Sequence, residues 1–417
     1  MPTHRMQHPD PWLASRSISG GHPKSELHAQ SHPSIDPELL KRFGITRIGD
    51  VTDLDIIGVP VWFATRPNSR GLSVAQGKGL TVEQARISAV MEAIEGAVAE
   101  DTQSHIVSID SLEAMRARGV DVIPLETLGR VNVDNLDGHQ ERAWVRGRSV
   151  RHGNDVFAPY ELIGLDFRAD FPWDRRAFHM SSEGLAAGFD YDRAILHALL
   201  ELVENDACFL IDAFETRIAA SGPITLKRAV NPALDLLMAH ISERGLSVDF
   251  FNLTTDIGIP VVMASLRRSI LTVEGPTVRH SAGVACRLTV HDAALAALLE
   301  AIQARLTDIS GARDDLSPNR YQMDHEIDAK RPPRDPVENG FPCVTFTSKL
   351  AAPMWQPLAD HLFAVGVDDI YLFPLTTGVE GLHVVRTLAK GLNATGPGLQ
   401  RMKPAVLEQF LFRRARP

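Results

Sequence analysis

Residues 82–95 read VEQARISAVMEAIE, residues 191–204 read YDRAILHALLELVE, and residues 290–303 read VHDAALAALLEAIQ. One spacing runs through all of them: Ala85, Ala89, Glu92, Glu95; Ala194, Ala198, Glu201, Glu204; Ala293, Ala297, Glu300, Gln303. Offsets of three, four and seven share one face of a helix, so each segment predicts a helix with its alanines and first glutamate on one side. Alanines let a helix approach its neighbour closely. Ile94, Leu200, Leu202, Val203, Leu298 and Ile302 lie around them, which puts the carboxylates at the edge of a packed region. A lone Glu-x-x-Glu is ordinarily a solvated helix face, but the repeated alanine spacing points to a shared cleft. Carboxylates gathered there repel one another and are costly to bury unpaired. A divalent cation relieves both problems. Mg²⁺, which commonly sits between one or two carboxylates and nucleotide phosphates, suits oxygen ligands such as Glu92, Glu95, Glu201, Glu204 and Glu300.

Outward from these segments the likeness continues. Leu80-Thr81-Val82-Glu83-Gln84 parallels Leu288-Thr289-Val290-His291-Asp292, and residues 57–65 (IGVPVWFAT) parallel 257–265 (IGIPVVMAS). Strands are expected at Ile56–Ala64, Pro260–Leu266, Arg142–Arg148, Val156–Pro159 and Ile370–Phe373. Helices are expected at 81–101, 191–213, 291–309 and 403–413. The elements lack the βαβ rhythm of a doubly wound sheet. The expected class is α+β, with internally repeated strand–helix units. Ser69–Gly79 precedes the first helix and contains Gly77-Lys78-Gly79, with Arg66 and Arg70 nearby. Glycines admit backbone N–H groups to a phosphate, and a helix N-terminus favours anions. No GxxxxGK[ST] P-loop is present.

Composition sets outer bounds. The chain has 417 residues, a net charge of −9 and no basic footprint of a nucleic-acid binder. Its three cysteines, Cys208, Cys286 and Cys343, are far apart and form no CxxC, which argues against a disulfide framework and for a cytoplasmic setting. No signal-peptide run and no membrane-length apolar stretch occur. Residues 1–35, rich in His, Pro, Ser and Gly, are expected to be a flexible N-terminal tail, and residues 36–417 the folded domain. A homodimer is the base-rate expectation.

At this point the residues resemble the YcaO family. Its signatures stand here as Ser73–Glu95, Ser181–Asp206 (SxxGxAxGxxxxxAxxxAxxExxExD) and Glu300–Asp315 (ExxQxRxxxxxGxRDD), in order. The stretch RPNSRGLSVAQGKGLT resembles the branch encoded beside TfuA-like proteins. The resemblance implies a YcaO-type ATP-binding fold without a P-loop over 36–417. It also implies ATP- and Mg²⁺-dependent phosphorylation of a peptide backbone amide. It assigns catalysis to Glu92, Glu201 and Arg305. ATP contacts fall to Ser73, Lys78, Ser88, Ser182, Gln303 and Arg305, and metal binding to Glu92, Glu95, Glu201, Glu204 and Glu300. The implied partners are a precursor peptide and a TfuA-like or leader-binding protein, since no fused leader-binding domain is visible.

Departures from the family pattern are Gly96 and Asn205 where Arg is common, and Glu183 where Asn is common. The Pro-rich tail of azoline-forming members is missing after Phe412, which favours thioamide over azoline formation. Attack by water, giving peptide cleavage, and a catalytically inactive binding factor remain open, as does an unrelated Mg²⁺-dependent enzyme. Cys208, mid-helix among apolar residues, is expected in the core rather than as a nucleophile.

Overall fold

The computed structural model describes residues 35–169, 173–213, 223–268, 280–316, 337–338, 353–396 and 398. They belong to one compact unit, Pro33–Pro417. The expected tail, Ile35 excepted, and the helix expected at 403–413 lie outside the described residues.

The three Glu-bearing segments are helices: α1 (Val82–Ala99), α2 (Tyr191–Ala213) and α3 (Val290–Ser310). Each starts on a side-chain cap. Thr81 accepts from the Gln84 N–H, Asp190 from Arg193, and Thr289 from Asp292. Such caps satisfy N–H groups that a helix start leaves open.

Three sheets are formed by the described residues. The first is β1 (Arg47–Asp50), β2 (Val61–Thr65) and β3 (Val74–Lys78), all antiparallel. The second contains β4 (Ile106–Ser111), β5 (Glu141–Ser149), β13 (Asp369–Leu375), β14 (His383–Lys390) and β7 (Leu185–Gly188) in that order, with β6 (Asp155–Pro159) on β5. The third runs β11 (His280–Cys286), β10 (Val261–Arg268), β9 (Leu246–Asn252), β8 (Ile224–Thr225), β12 (Val337–Glu338).

The observed class is the expected α+β. The strands expected at 56–64 and from 260 begin at Val61 and Val261 instead. Gly58 and Gly258 turn the chain with φ of 71° and 77°, and a proline without an N–H precedes each strand. Short helices at Pro232–Glu243 and Gln356–Ala364 were not anticipated.

Two hairpins lead into helices with matched registers. Val61 pairs with Lys78, and Val261 with Cys286. In both, a glycine lets strand and helix backbones touch. A Cβ on Gly77 would sit 2.0 Å from the Ala89 nitrogen, and one on Gly283 would sit 2.4 Å from the Ala301 nitrogen. α2 differs, because the strand before it, β7, is the edge of the second sheet and pairs with β14. The alanine faces of the helices are buried: Ala85, Ala89, Ala194, Ala198, Ala293 and Ala297 are each at most 2% exposed. The third core cluster joins α3 to β10 and to helix Pro232–Glu243, while the second joins α2 to β14.

Candidate active site

Three carboxylates are held in a cycle. The strand entering α2 supplies the Ala187 N–H, which donates to Glu95 of α1 at 2.8 Å. The strand entering α3 supplies the Cys286 N–H, which donates to Glu204 of α2 at 2.9 Å. The strand entering α1 supplies Lys78, whose ammonium pairs with Glu300 of α3. Each helix is thus tied, through a glutamate, to the end of the strand that feeds the next. This packing gathers the three repeats around one cleft.

The carboxylates carry the electrostatic cost that their gathering predicts. Burial pushes Glu95 up to about 8, against the Ala187 N–H and with the neighbouring Glu92 charge adding to the rise. Burial raises Glu204 to about 7, opposed by the Cys286 N–H. Glu201 lies well above the usual carboxylate range through burial and the charges of Glu95 and Glu204. Solvent reaches Glu92 along the cleft. Protein crowds its other sides, and that burial lifts it to about 7 against the pull of Lys78.

Lys78 is the resident counter-charge, its partner Glu300 being 38% exposed at the rim. Arg313 is a second cation. Its guanidinium forks onto Asp315 at 3.0 and 2.7 Å, and it feels the charges of Glu92 and Glu300. Arg287 acts on Glu204.

The donor set fits Mg²⁺ with a polyphosphate. Hard oxygen ligands carry raised proton affinities that a divalent cation would relieve, and cations flank them for phosphate charge. Among the described residues no three His, Cys, Asp or Glu side chains converge closely enough to hold a metal. Magnesium here therefore needs phosphate oxygens or water to complete its shell. Bound there, it would shield phosphate charge.

Other expected contacts divide. Ser88 is half-buried one turn before Glu92 on α1. Ser182 is exposed in the approach to β7. Gln303 is buried, and its Oε1 has no hydrogen-bond partner among the described residues. Ser73 donates through its N–H and Oγ to Asp314, both at 2.9 Å, which ties β3 to the loop carrying Arg313.

Arg305 is held in a buried ion pair. Its guanidinium forks onto Asp55 at 2.8 and 3.0 Å, with the two side chains 4% and 3% exposed.

Arg66 and Arg70 do not serve a phosphate site. Arg66 pairs with Glu100 at 2.7 Å, and Arg70 donates to the Glu100 carbonyl, so both finish the C-terminus of α1. The glycines of Gly77-Lys78-Gly79 face α1. A Cβ on Gly79 would lie 2.5 Å from Gln84 Cβ, so these residues serve strand–helix packing, and Lys78 alone projects to the carboxylates.

Of the departures, Gly96 leaves room for Arg66, whose Nη1 would lie 3.1 Å from a Cβ there. Glu183 is buried and accepts from the Thr395 N–H at 3.1 Å. Cys208 is half-buried. Cys286 is fully buried, with its thiol pushed up by burial and by Glu204, which disfavours a thiolate nucleophile.

Arg287 carries no signal of its own in the sequence, and Arg313 falls within the signature Glu300–Asp315. His197 stands one turn before Glu201 on the same face, and that spacing was the signal available for it. No helix among the described residues is long and apolar enough to cross a membrane.

Known proteins resemble the chain over most of its length. The model of a family described as YcaO cyclodehydratase, ATP- and Mg²⁺-binding, matches residues 76–393. An uncharacterized protein in the tfuA 3′ region of Rhizobium leguminosarum bv. trifolii is 34% identical over 393 residues, 91% of this chain and 90% of that protein. An uncharacterized protein of Methanothermobacter thermautotrophicus is 30% identical over 280 residues, 66% of this chain and 69% of its own. The structure of YcaO from Methanopyrus kandleri bound with AMPPCP and Mg²⁺ superposes with a TM-score of 0.65 at 21% identity, covering 88% of this chain and 92% of that one. A heterocyclase in complex with substrate and cofactor gives 0.66 at 18% identity, over 87% of this chain and 53% of the heterocyclase. At these identities the structural likenesses speak for the fold.

Proposed function

The chain belongs to the YcaO family of ATP- and Mg²⁺-binding peptide-modifying enzymes, and from that premise we propose that it installs a thioamide in the backbone of a precursor peptide, working with a TfuA-like partner. The observation that carries the site assignment is the cycle that holds Glu95 by the Ala187 N–H, Glu204 by the Cys286 N–H and Glu300 by Lys78. The thioamide choice and the partner rest on the likeness to the protein of the tfuA 3′ region.

Bound ATP–Mg²⁺ supplies the phosphoryl group that turns an amide oxygen, a poor leaving group, into a good one. The chain's own residues hold and neutralise. Glu92, Glu95, Glu201, Glu204 and Glu300 offer the metal oxygens, with Ser88, Ser182 and Gln303 beside them. Lys78, Arg313 and Arg287 set positive charge where phosphate charge is held. Catalysis of this kind rests on positioning and charge rather than on a protein nucleophile.

Two measurements test this reading. Purified protein should bind ATP–Mg²⁺, and Glu92→Gln or Glu201→Gln should weaken that binding at least about tenfold, the order lost when one metal-site group is removed. Wild-type affinity in both variants would refute the carboxylate site. Mass spectrometry of the peptide encoded beside the protein should show oxygen replaced by sulfur. Loss of water would mean azoline formation, a shorter chain cleavage, and an unchanged peptide a binding factor.

A further inference from the structure

A cavity of about 30 Å³ lies beside α2, and no residue of the carboxylate cycle lines it. Leu202 of α2, Leu162, Leu388 of β14 and Leu392 just after it supply apolar walls. Arg130 and Glu183 bring charge to the same walls. They are only 3% and 7% exposed, and each keeps one buried atom with no hydrogen-bond partner among the described residues, Nε of Arg130 and Oε2 of Glu183. Their other polar atoms are fixed. Arg130 donates through Nη1 to the Ser181 carbonyl at 3.3 Å and through Nη2 to the Leu162 carbonyl. Glu183 Oε1 accepts from the Thr395 N–H at 3.1 Å, and the Glu183 carbonyl accepts from Arg386 at 2.6 Å. The cavity adjoins the site, since Leu202 follows Glu201 on α2 and Glu183 follows Ser182.

One donor and one acceptor left open among leucines are costly unless a molecule takes both. We propose that this cavity binds hydrogen sulfide, the sulfur source of the thioamide reaction, and selects it over water. The proposal rests on the thioamide reading above. The sulfur accepts from the Arg130 Nε–H, an S–H donates to Glu183 Oε2, and the leucines pack against the sulfur atom.

Size and polarity both favour sulfide. A buried water needs roughly 10–15 Å³ and typically makes about three hydrogen bonds. Two waters would fill this cavity, yet between its two open partners each would make only two bonds. A thiol group is a weak donor and acceptor that packs as a small hydrophobe, so it gives up little on leaving water. The Glu183 carboxylate disfavours the hydrosulfide anion, and the neutral molecule fits. Water attack would cleave the peptide, so a store that prefers sulfur protects the thioamide outcome.

The first test is steady-state kinetics of the full chain with ATP, the precursor peptide and sodium sulfide. Glu183→Gln keeps the shape and the acceptor for Thr395, but turns an N–H donor to the cavity in place of Oε2. Ala389→Val adds two methyl groups to the cavity wall on a strand that tolerates β-branching. Each should raise KM for sulfide about tenfold, the order of one lost hydrogen bond, and leave kcat and KM for ATP within about twofold. An unchanged KM for sulfide in both variants overturns the proposal and leaves the thioamide reading standing. Equal damage to KM for ATP would make the cavity merely structural and also defeat it. No exchange of oxygen for sulfur by the wild type would remove the thioamide reading and this site with it.

The second test needs no turnover. Crystals of the full chain soaked in sodium hydroselenide should show an anomalous selenium peak between Arg130 and Glu183, lost in Ala389→Val. Water density there without selenium would overturn the proposal.

Discussion

Lys78 and Cys286 occupy the same place in two hairpins. Each pairs with the first residue of the preceding strand and stands three residues before a threonine that caps a helix. Their chemistry differs. Lys78 sends an ammonium across to Glu300, whereas Cys286 offers Glu204 only its backbone N–H. Glu95 of the first unit corresponds by position to Gln303 in the third. Matched backbones therefore carry unmatched charge. The lesson is that the geometry can recur while each copy contributes a different part of one site.

The largest expected effect separates the two strand ends. Lys78→Met leaves Glu300 and Glu92 without their counter-charge and should cut ATP-dependent turnover by about 100-fold or more. Cys286→Ala keeps the N–H and should stay within about threefold. Equal losses would show that the cation is not what distinguishes the two positions.

Next come the packing glycines. Gly77→Ala and Gly283→Ala each force a Cβ against helix backbone and should cost roughly 1–3 kcal/mol in urea unfolding. A stable variant at either position would mean that strand and helix there can part.

A third effect is pH-dependent. Glu92, Glu95 and Glu204 have folded values near 7 to 8, above the ordinary 4.5, so the folded chain holds more protons than the unfolded one across that window. Their contribution is intact below about 4.5 and is lost as pH rises through 7 to 8. His105 and His197, both lowered, act with the opposite slope, but only below about 6.5. The Tm of the ligand-free protein should therefore fall between about pH 6.5 and 8.5, and AMPPCP–Mg²⁺ should flatten that fall. A Tm that climbs over this range would contradict the crowding of the carboxylates.

The smallest effect tests the asymmetry. Gln303→Glu restores a carboxylate in the third helix and should lower the Tm of the ligand-free protein at pH 8 by roughly 1 °C, about 1 kcal/mol for a domain of this size. A raised Tm would show that the amide relieves no crowding.

Much of the fold could be read from spacing. The three long helices and the strands 142–148, 156–159 and 370–373 follow from local periodicity, and observed bounds differ from expected ones by a residue or two. Helices 232–243 and 356–364 escape sequence patterns because each is short and carries a proline in its first two positions, which reads as a turn. In the site, the glutamates stood out through their repeat, and Lys78 through Gly77-Lys78-Gly79 ahead of the first helix. Arg305 matches a signature, and only the folded chain shows that its guanidinium forks onto Asp55, a partner 250 residues away in the chain. Arg66, near Lys78 in the sequence, is taken up by Glu100 at the far end of α1. Arg287 is a single residue that nothing local marks, and His197 is marked only by its spacing to Glu201.

The opening spacing of Ala, Ala, Glu and Glu or Gln was enough to set three helices, bury their alanine faces and leave carboxylates at the edge. Side-chain direction along a helix depends on a few neighbouring residues, so local order suffices. Which strand end meets which glutamate came from packing. Ala187 reaches Glu95 across 92 positions, and Cys286 reaches Glu204 across 82. Such contacts exist only once sheets and helices have docked, because a buried carboxylate takes whatever donor the neighbouring backbone presents. The repeat supplied the oxygens, and the docking of three strand ends made them one site.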